Sequence, residues 1–273
     1  MAFVLRRQET LDAQALRERL AGEPRDVARS LLAAARQGAP EAQALLGQIL
    51  LDGQGIERDP ALARTWFGIA AEQGHAMARN MLGRCLEHGW GGDQDLPGAA
   101  RHYRLAMQQG LDWAAYNYAG LLATGRGVER DQAAAFALYL QAAEAGHAKS
   151  MNLVGRYFEE GISVPVDAQQ ARDWYRRSAL AGDFRGQFSH AAVLAEAGEL
   201  NEALHWLREA LVGGNLNFLR VARTSLANAR QAELRELALA YHQRAAELGD
   251  EHDGQALRDY QAPSTAVAAP LPG

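Results

Sequence analysis

Ala42, Leu46, Ile49 and Leu50 fall at i, i+4, i+7 and i+8, the spacing that lines up side chains on one face of an α-helix. The pattern predicts a helix over 41–51. It stops at Gly53-Gln54-Gly55, where glycine can take positive φ and close a helix C-terminus. A second apolar stripe, Ala63, Trp66, Phe67, Ala70 and Ala71, predicts a helix from Pro60 to about Gln73. Asp59 is a natural N-cap, and Pro60 stands at the first helical position, where its missing N–H costs nothing. Gly74-His75 ends this helix, and the next apolar stripe starts within a few residues. The elementary unit is a helix A, a glycine-containing loop and a helix B.

The unit repeats. Gly38, Gly74, Gly110, Gly146 and Gly182 are 36 residues apart, and Gly214 and Gly249 follow at steps of 32 and 35. Gly53, Gly89, Gly125 and Gly161 keep the same 36-residue period. A third series, Gly47, Gly83 and Gly155, carries Ala119 in its missing phase, and a fourth, Gly55, Gly91 and Gly127, lapses at Ser163. Asp59, Asp95, Asp131 and Asp167 form a capping column, and Phe67, Tyr103, Tyr139 and Tyr175 an aromatic one. A period in the range of roughly 20–50 residues marks a repeat array or solenoid. Gly47 and its equivalents sit inside helix A, where a missing side chain allows a neighbouring helix or a large ring to come close. The fifth unit is four residues shorter and carries Ala203, Trp206, Leu207 and Ala210 in the corresponding roles.

This organisation predicts an all-α fold in four parts. Residues 1–39 form capping helices, one of them over Leu11–Leu20. Residues 40–215 hold four clear units and the shortened one, 216–260 a degenerate helix pair, and 261–273 an uncharged, proline-containing disordered tail.

Composition agrees. Alanine accounts for 55 of the 273 residues, and Ile, Val and Thr together for 19, a balance that favours helices over strands. The net charge of -5 and pI near 5.9 give no basic footprint for nucleic acid. No apolar run approaches the ~20 residues that span a membrane. The start lacks the apolar segment of about 7–15 residues that a signal peptide requires. A single cysteine, Cys85, excludes an intrachain disulfide. The expected setting is the cytoplasm of a bacterium.

The motif Ala42-Gln-Ala-Leu-Leu-Gly47, Gly53-Gln-Gly55-Ile-Glu-Arg-Asp59, Ala63-Arg-Thr-Trp66-Phe67, Ala70-Ala71-Glu-Gln-Gly74-His75 resembles the Sel-1-like repeat, a relative of the tetratricopeptide repeat. The third unit, Gly125 to Asp131 and Ala142 to His147, resembles it nearly as well. The resemblance implies a right-handed α/α solenoid of stacked antiparallel helix pairs, with helix A lining the concave side. It also implies a non-catalytic role as a scaffold or adaptor for peptides or proteins. One branch of the family carries paired cysteines in each repeat, which this chain lacks.

Residues that could carry chemistry have simpler readings. Cys85 and His88 have half of a metal-ligand spacing, but Cys85 occupies the core phase of Ile49, Leu121 and Tyr157. His75 and His147 share one phase at the turn between units. Glu159-Glu160 and the Asp93/Asp95 pair flank loops, and Asp95 is already a cap. Gly89-Trp90-Gly91-Gly92 is followed by acids that repel phosphate. The sequence contains no phosphate-binding Gly-x-x-x-x-Gly-Lys, no Gly-x-Ser-x-Gly and no His-Glu-x-x-His. No cofactor, metal or catalytic residue is expected.

Columns that vary in chemistry between repeats are free to serve a ligand. The stripe at 41, 45, 48 and 52 becomes Met77, Met81, Arg84 and His88 in the second unit. It becomes Trp113, Asn117, Gly120 and Thr124 in the third, and Lys149, Leu153, Arg156 and Glu160 in the fourth. Apolar Met77, Met81, Trp113 and Leu153 beside basic Arg84, His88, Lys149 and Arg156, with Asn117 among them, suit a peptide with hydrophobic and acidic side chains. Gly120 on this stripe leaves room for a ligand backbone. The expected function is protein or peptide binding on the concave helix-A surface, in regulation of a neighbouring enzyme or signalling system. A module for a small ligand or a cell-wall fragment is the alternative.

Overall fold

The computed structural model describes residues 23–262. The expected helix over Leu11–Leu20 and the expected tail, apart from Gln261 and Ala262, lie outside these residues. Fourteen helices and no strand occur among the described residues. They are α1 (Pro24–Arg36), α2 (Pro40–Asp52), α3 (Pro60–Glu72), α4 (Ala76–His88), α5 (Leu96–Gln108), α6 (Asp112–Thr124), α7 (Gln132–Glu144), α8 (Ala148–Glu160), α9 (Ala168–Leu180), α10 (Phe184–Glu196), α11 (Leu200–Gly213), α12 (Leu216–Ala227), α13 (Ala232–Leu248) and α14 (Glu251–Gln261). The chain is an all-α solenoid in which consecutive helices pack as pairs, with α2, α4, α6, α8 and α10 as A helices. It divides into two compact units, Met1–Ser150 with Glu160–Val166, and Met151–Glu159 with Asp167–Gly273.

In the first unit the predicted punctuation is in place. Asp59 and Asp131 accept hydrogen bonds from the N–H groups of Leu62 and Ala134, each at 2.9 Å. Their own N–H groups donate back to Leu50 and Leu122 carbonyls at 2.9 Å, which closes the loop between helices A and B. Gly89 ends α4 in the left-handed region, with φ 68°. Ser163, where the fourth glycine series lapses, keeps the same conformation at φ 59°.

The third glycine series has the packing role its position implies. A Cβ on Gly83 would lie 2.7 Å from the Tyr103 ring, and one on Gly47 2.7 Å from the Phe67 ring. Both rings are fully buried, and the absent side chain lets helix A close on the ring of its own helix B. A glycine inside a helix costs about 1 kcal/mol relative to Ala, less than burial of an aromatic side chain returns. The loop glycines pack too: a Cβ on Gly91 would lie 2.2 Å from the Pro60 carbonyl oxygen, at the start of the preceding helix B.

The second unit has its own core, in which Tyr241, Leu219 and Leu207 are buried with Ala203 and Ala238. Tyr175 fills the space over Gly155, where a Cβ would lie 2.6 Å from its ring. Its last helix, α14, is held to α12 by ions. Asp253, with no exposed surface, receives Arg220 and Arg223, the latter at 3.0 Å.

Candidate functional site

In the first unit the predicted stripe runs over α4, α6 and the start of α8. Asn117 on α6 donates from Nδ2 to Oδ1 of buried Asn80 on α4 at 2.9 Å, which ties these two A helices side by side.

The two methionines do not face outward. Met77 is 8% exposed and packs with Ala106, Leu111 and Ala114, and Met81 is 4% exposed in the core shared with α2 and α3. An inner helix of a solenoid touches helices on several sides, so the stripe opposite one buried face is covered by another neighbour. Leu45 and Gln48 on α2 are buried for the same reason. A Cβ on Gly120 would stand in ordinary contact with the Tyr139 hydroxyl, at 3.6 Å.

Two clusters of cations and rings remain at the surface. Arg84 lies over Trp90 at 5.1 Å from the ring centre, and half-buried Trp90 also meets exposed His88 at 4.7 Å. Arg84 has no carboxylate partner among the described residues. Its neighbour Arg126 has one, Glu87 at 3.0 Å. Burial lowers the His88 pKa, Glu87 opposes this, and the positive Arg84 and Arg126 add to it.

The second cluster surrounds half-buried Trp113. The His147 ring meets it edge to face at 4.4 Å, and Lys149 Nζ lies 5.0 Å from the indole centre. Lys149 is the only lysine of the chain. His147 is 9% exposed, and its Nδ1 accepts from the Ser150 N–H at 3.3 Å at the start of α8. His75 does the same for α4, accepting from Ala78 at 3.1 Å, so both histidines cap helices.

Burial, helped by the Lys149 charge, pushes the His147 pKa down to about 4. A lowered histidine pKa means the unfolded chain binds the proton first as pH falls. The contribution of neutral His147 is therefore complete above about pH 6.5 and lost between there and pH 4, about 3 kcal/mol in all. Urea titrations across this range should show wild type losing stability more steeply than His147→Asn, which keeps a capping side chain but does not titrate. Parallel curves would refute this.

The remaining predicted residues, Leu153 and Arg156, belong to the second unit, half-buried and exposed respectively. That unit also holds a cleft that the helical stripe does not reveal. It measures about 650 Å³ and lies between the ends of α10 and α12 and the turn at 228–231. Leu207 and Ala195 form part of its apolar wall, and Glu196 and Arg230 stand at its rim. The signal was present in the repeat register, because Leu207 stands in the column of Phe67, Tyr103, Tyr139 and Tyr175.

Cys85 is fully buried, and burial pushes its thiol pKa up to about 11, so it is an inert core residue. Among the described residues no group of three or more His, Cys, Asp or Glu side chains could hold a metal ion. Among them, too, no helix is long and apolar enough to cross a membrane.

The family model of the Sel1 repeat matches residues 40–75, 76–111, 114–147, 148–183 and 234–250. The chain belongs to the Sel1 repeat family. The last matched Sel1 segment falls on α13, beyond the shortened unit. A Sel1 repeat protein from Oxalobacter formigenes is 25% identical, with a TM-score of 0.70 over 90% of this chain and 100% of its own. The c5321 protein, a protective antigen of uropathogenic Escherichia coli with an SLR fold, is 27% identical, with a TM-score of 0.60 over 85% of this chain and 51% of its own. This chain thus spans about half the length of c5321. The Pseudomonas aeruginosa immunity protein Pa5087, at 13% identity and a TM-score of 0.54 over 81% of this chain and 80% of its own, shares the fold alone. No curated protein matches the sequence. Sel1 solenoids generally serve as scaffolds for protein interactions.

Proposed function

We propose that this Sel1 protein is a non-catalytic adaptor that holds an acidic, partly apolar peptide segment of a protein partner on the helix-A face of its first unit. The observation that carries this reading is Arg84, a cation spread over Trp90 with no carboxylate partner among the described residues. A guanidinium stacked on a ring is oriented and partly desolvated, so an incoming carboxylate gains a charge-assisted bond with little further ordering. Lys149 over Trp113 places a second cation on a ring of the same unit. Of the original stripe, Arg84, His88, Trp113 and Lys149 would make the contacts, and Asn117 would hold the two helices in register. Met77 and Met81 would act only as the floor beneath them. Leu153 and Arg156 are candidates for contacts made by the second unit.

Arg84→Glu should weaken capture of a genuine partner by at least about tenfold, equivalent to 1.4 kcal/mol. Its melting temperature should stay close to wild type, because Arg84 makes no ion pair among the described residues. The loss should be larger at low salt, where surface charges are less screened. Affinity purification with quantitative mass spectrometry, wild type against variant, measures it. Equal recovery of every partner by Arg84→Glu would sink the reading.

A further inference from the structure

The cleft of the second unit has a structural origin that also says what fits it. In the regular repeats the column of Leu207 holds an aromatic ring. The position matching Ala195 is Glu87 in the second repeat and Glu159 in the fourth. Tyr103 donates its hydroxyl to Glu87 at 2.8 Å, and within the second unit Tyr175 donates to Glu159 in the same way. The fifth repeat replaces this pair by Leu207 and Ala195, and both face the cleft.

The connections shrink as well. Loops 53–59, 89–95, 125–131 and 161–167 span seven residues, whereas 197–199 spans three and 228–231 spans four. In the first unit Arg126, from such a seven-residue loop, reaches back to Glu87 at 3.0 Å. The corresponding short turn in the second unit reaches back through Gln231, whose Nε2 donates to the Ala195 carbonyl at 3.3 Å. A ring, a carboxylate and part of a loop are therefore missing from one place, and a cavity of about 650 Å³ stands there. Its rim carries two exposed charges, Glu196 and Arg230, with no ion pair to either among the described residues.

We propose that this cleft takes a tyrosine side chain of a partner peptide, with an acidic residue beside it. The ring would lie on Leu207, Ala195 and Leu226, in the volume that the second and fourth repeats fill with their own tyrosine. Its hydroxyl would donate to Glu196, as Tyr103 does to Glu87, and the neighbouring carboxylate would pair with Arg230. The volume falls within the range of about 300–1,000 Å³ typical of ligand pockets. A buried ring with charge-paired flanks is a common anchor of peptide recognition. This site lies wholly in the second unit and is independent of the surface proposed above.

The test uses the full chain and three capped peptides, Ac-Asp-Tyr-Asp-NH2, Ac-Asp-Ala-Asp-NH2 and Ac-Lys-Tyr-Lys-NH2, titrated while the methyl resonances of Leu207, Leu226 and Leu234 are followed by NMR. The first peptide should shift these methyls and bind at least about tenfold more tightly than the alanine peptide. Arg230→Ala should remove its preference over the lysine peptide. The double variant Ala195→Glu/Leu207→Tyr restores the pair of the regular repeats and should abolish binding. Ala192→Trp, at an exposed rim position, should block entry without touching the core, which keeps the test decisive if the double variant does not fold. Equal binding of the tyrosine and alanine peptides, undiminished binding to Ala192→Trp, or no methyl shift at millimolar peptide would each overturn the proposal.

Discussion

Tyr103→Ala should destabilise the first unit by about 3–5 kcal/mol, among the largest effects of any single core truncation in it. The ring is fully buried and fills the space that Gly83 leaves open. Its hydroxyl is one of two groups on Glu87, the other being Arg126. Removing the ring creates a cavity and takes away one of those two partners. Tyr103→Phe keeps the ring and should cost only about 1 kcal/mol, the net worth of a typical hydrogen bond. Gly83→Ala overpacks the wild-type ring and should cost about 1–3 kcal/mol, yet far less once Tyr103 is Ala. That non-additivity distinguishes packing from helix propensity, since propensity would favour Ala at position 83 in both backgrounds. Urea unfolding followed by far-ultraviolet circular dichroism measures all four proteins. A loss below about 1 kcal/mol for Tyr103→Ala would refute the account.

The second large effect belongs to α14. Asp253→Ala should destabilise the second unit by about 3–5 kcal/mol, the usual result of removing one partner from a buried ion cluster. Arg223, with 9% of its side chain exposed, is left facing Arg220 with no charge between them. Asp253→Leu combined with Arg223→Met removes both charges from the buried contact and should recover much of the loss, because an apolar pair avoids the desolvation cost. The same cluster sets an acid limit. Hydrogen bonds from Arg220, the largest influence, lower the Asp253 pKa from 3.8 to about 2 despite opposing desolvation. A lowered carboxylate pKa contributes stability that is complete above about pH 4. That contribution, about 2 kcal/mol, disappears as pH falls toward 2. Denaturant midpoints of wild type and Asp253→Ala should converge through that window, and a constant separation would contradict the assignment.

The repeat register made the fold legible because each of its signals is local. Asp59 and Asp131 cap through their own side chains within three residues, and Gly83 faces a ring on the next helix of the same pair. The candidate surface was legible only in part. Arg84, His88, Trp113 and Lys149 carry charge or bulk that reaches past their neighbours, whereas Met77 and Met81 lie where packing from adjacent repeats decides exposure. A helical stripe gives a direction around one axis and says nothing about how many helices surround that axis. The cleft was hidden for a further reason. Leu207 and Ala195 are ordinary core residues in isolation, and only comparison with Tyr103 and Glu87 shows the missing volume. Even that comparison depends on the path of the turn at 228–231, which its composition does not determine.

The loop glycines give the first unit a direction. Gly55 lies against Pro24, Gly91 against Pro60 and Gly127 against Leu96, so each loop rests on the beginning of a helix 31 residues earlier in the chain. The repeats are laid like roof tiles, each overlapping the one before it. Stripping a tile from the far end bares the helix start beneath it, while stripping one from the near end leaves the next tile's own edge covered. Fraying is therefore asymmetric. The first residues of α3 and α5 gain this contact only from a stretch of chain synthesised after them, so a nascent array stays open at its growing edge until the following loop arrives.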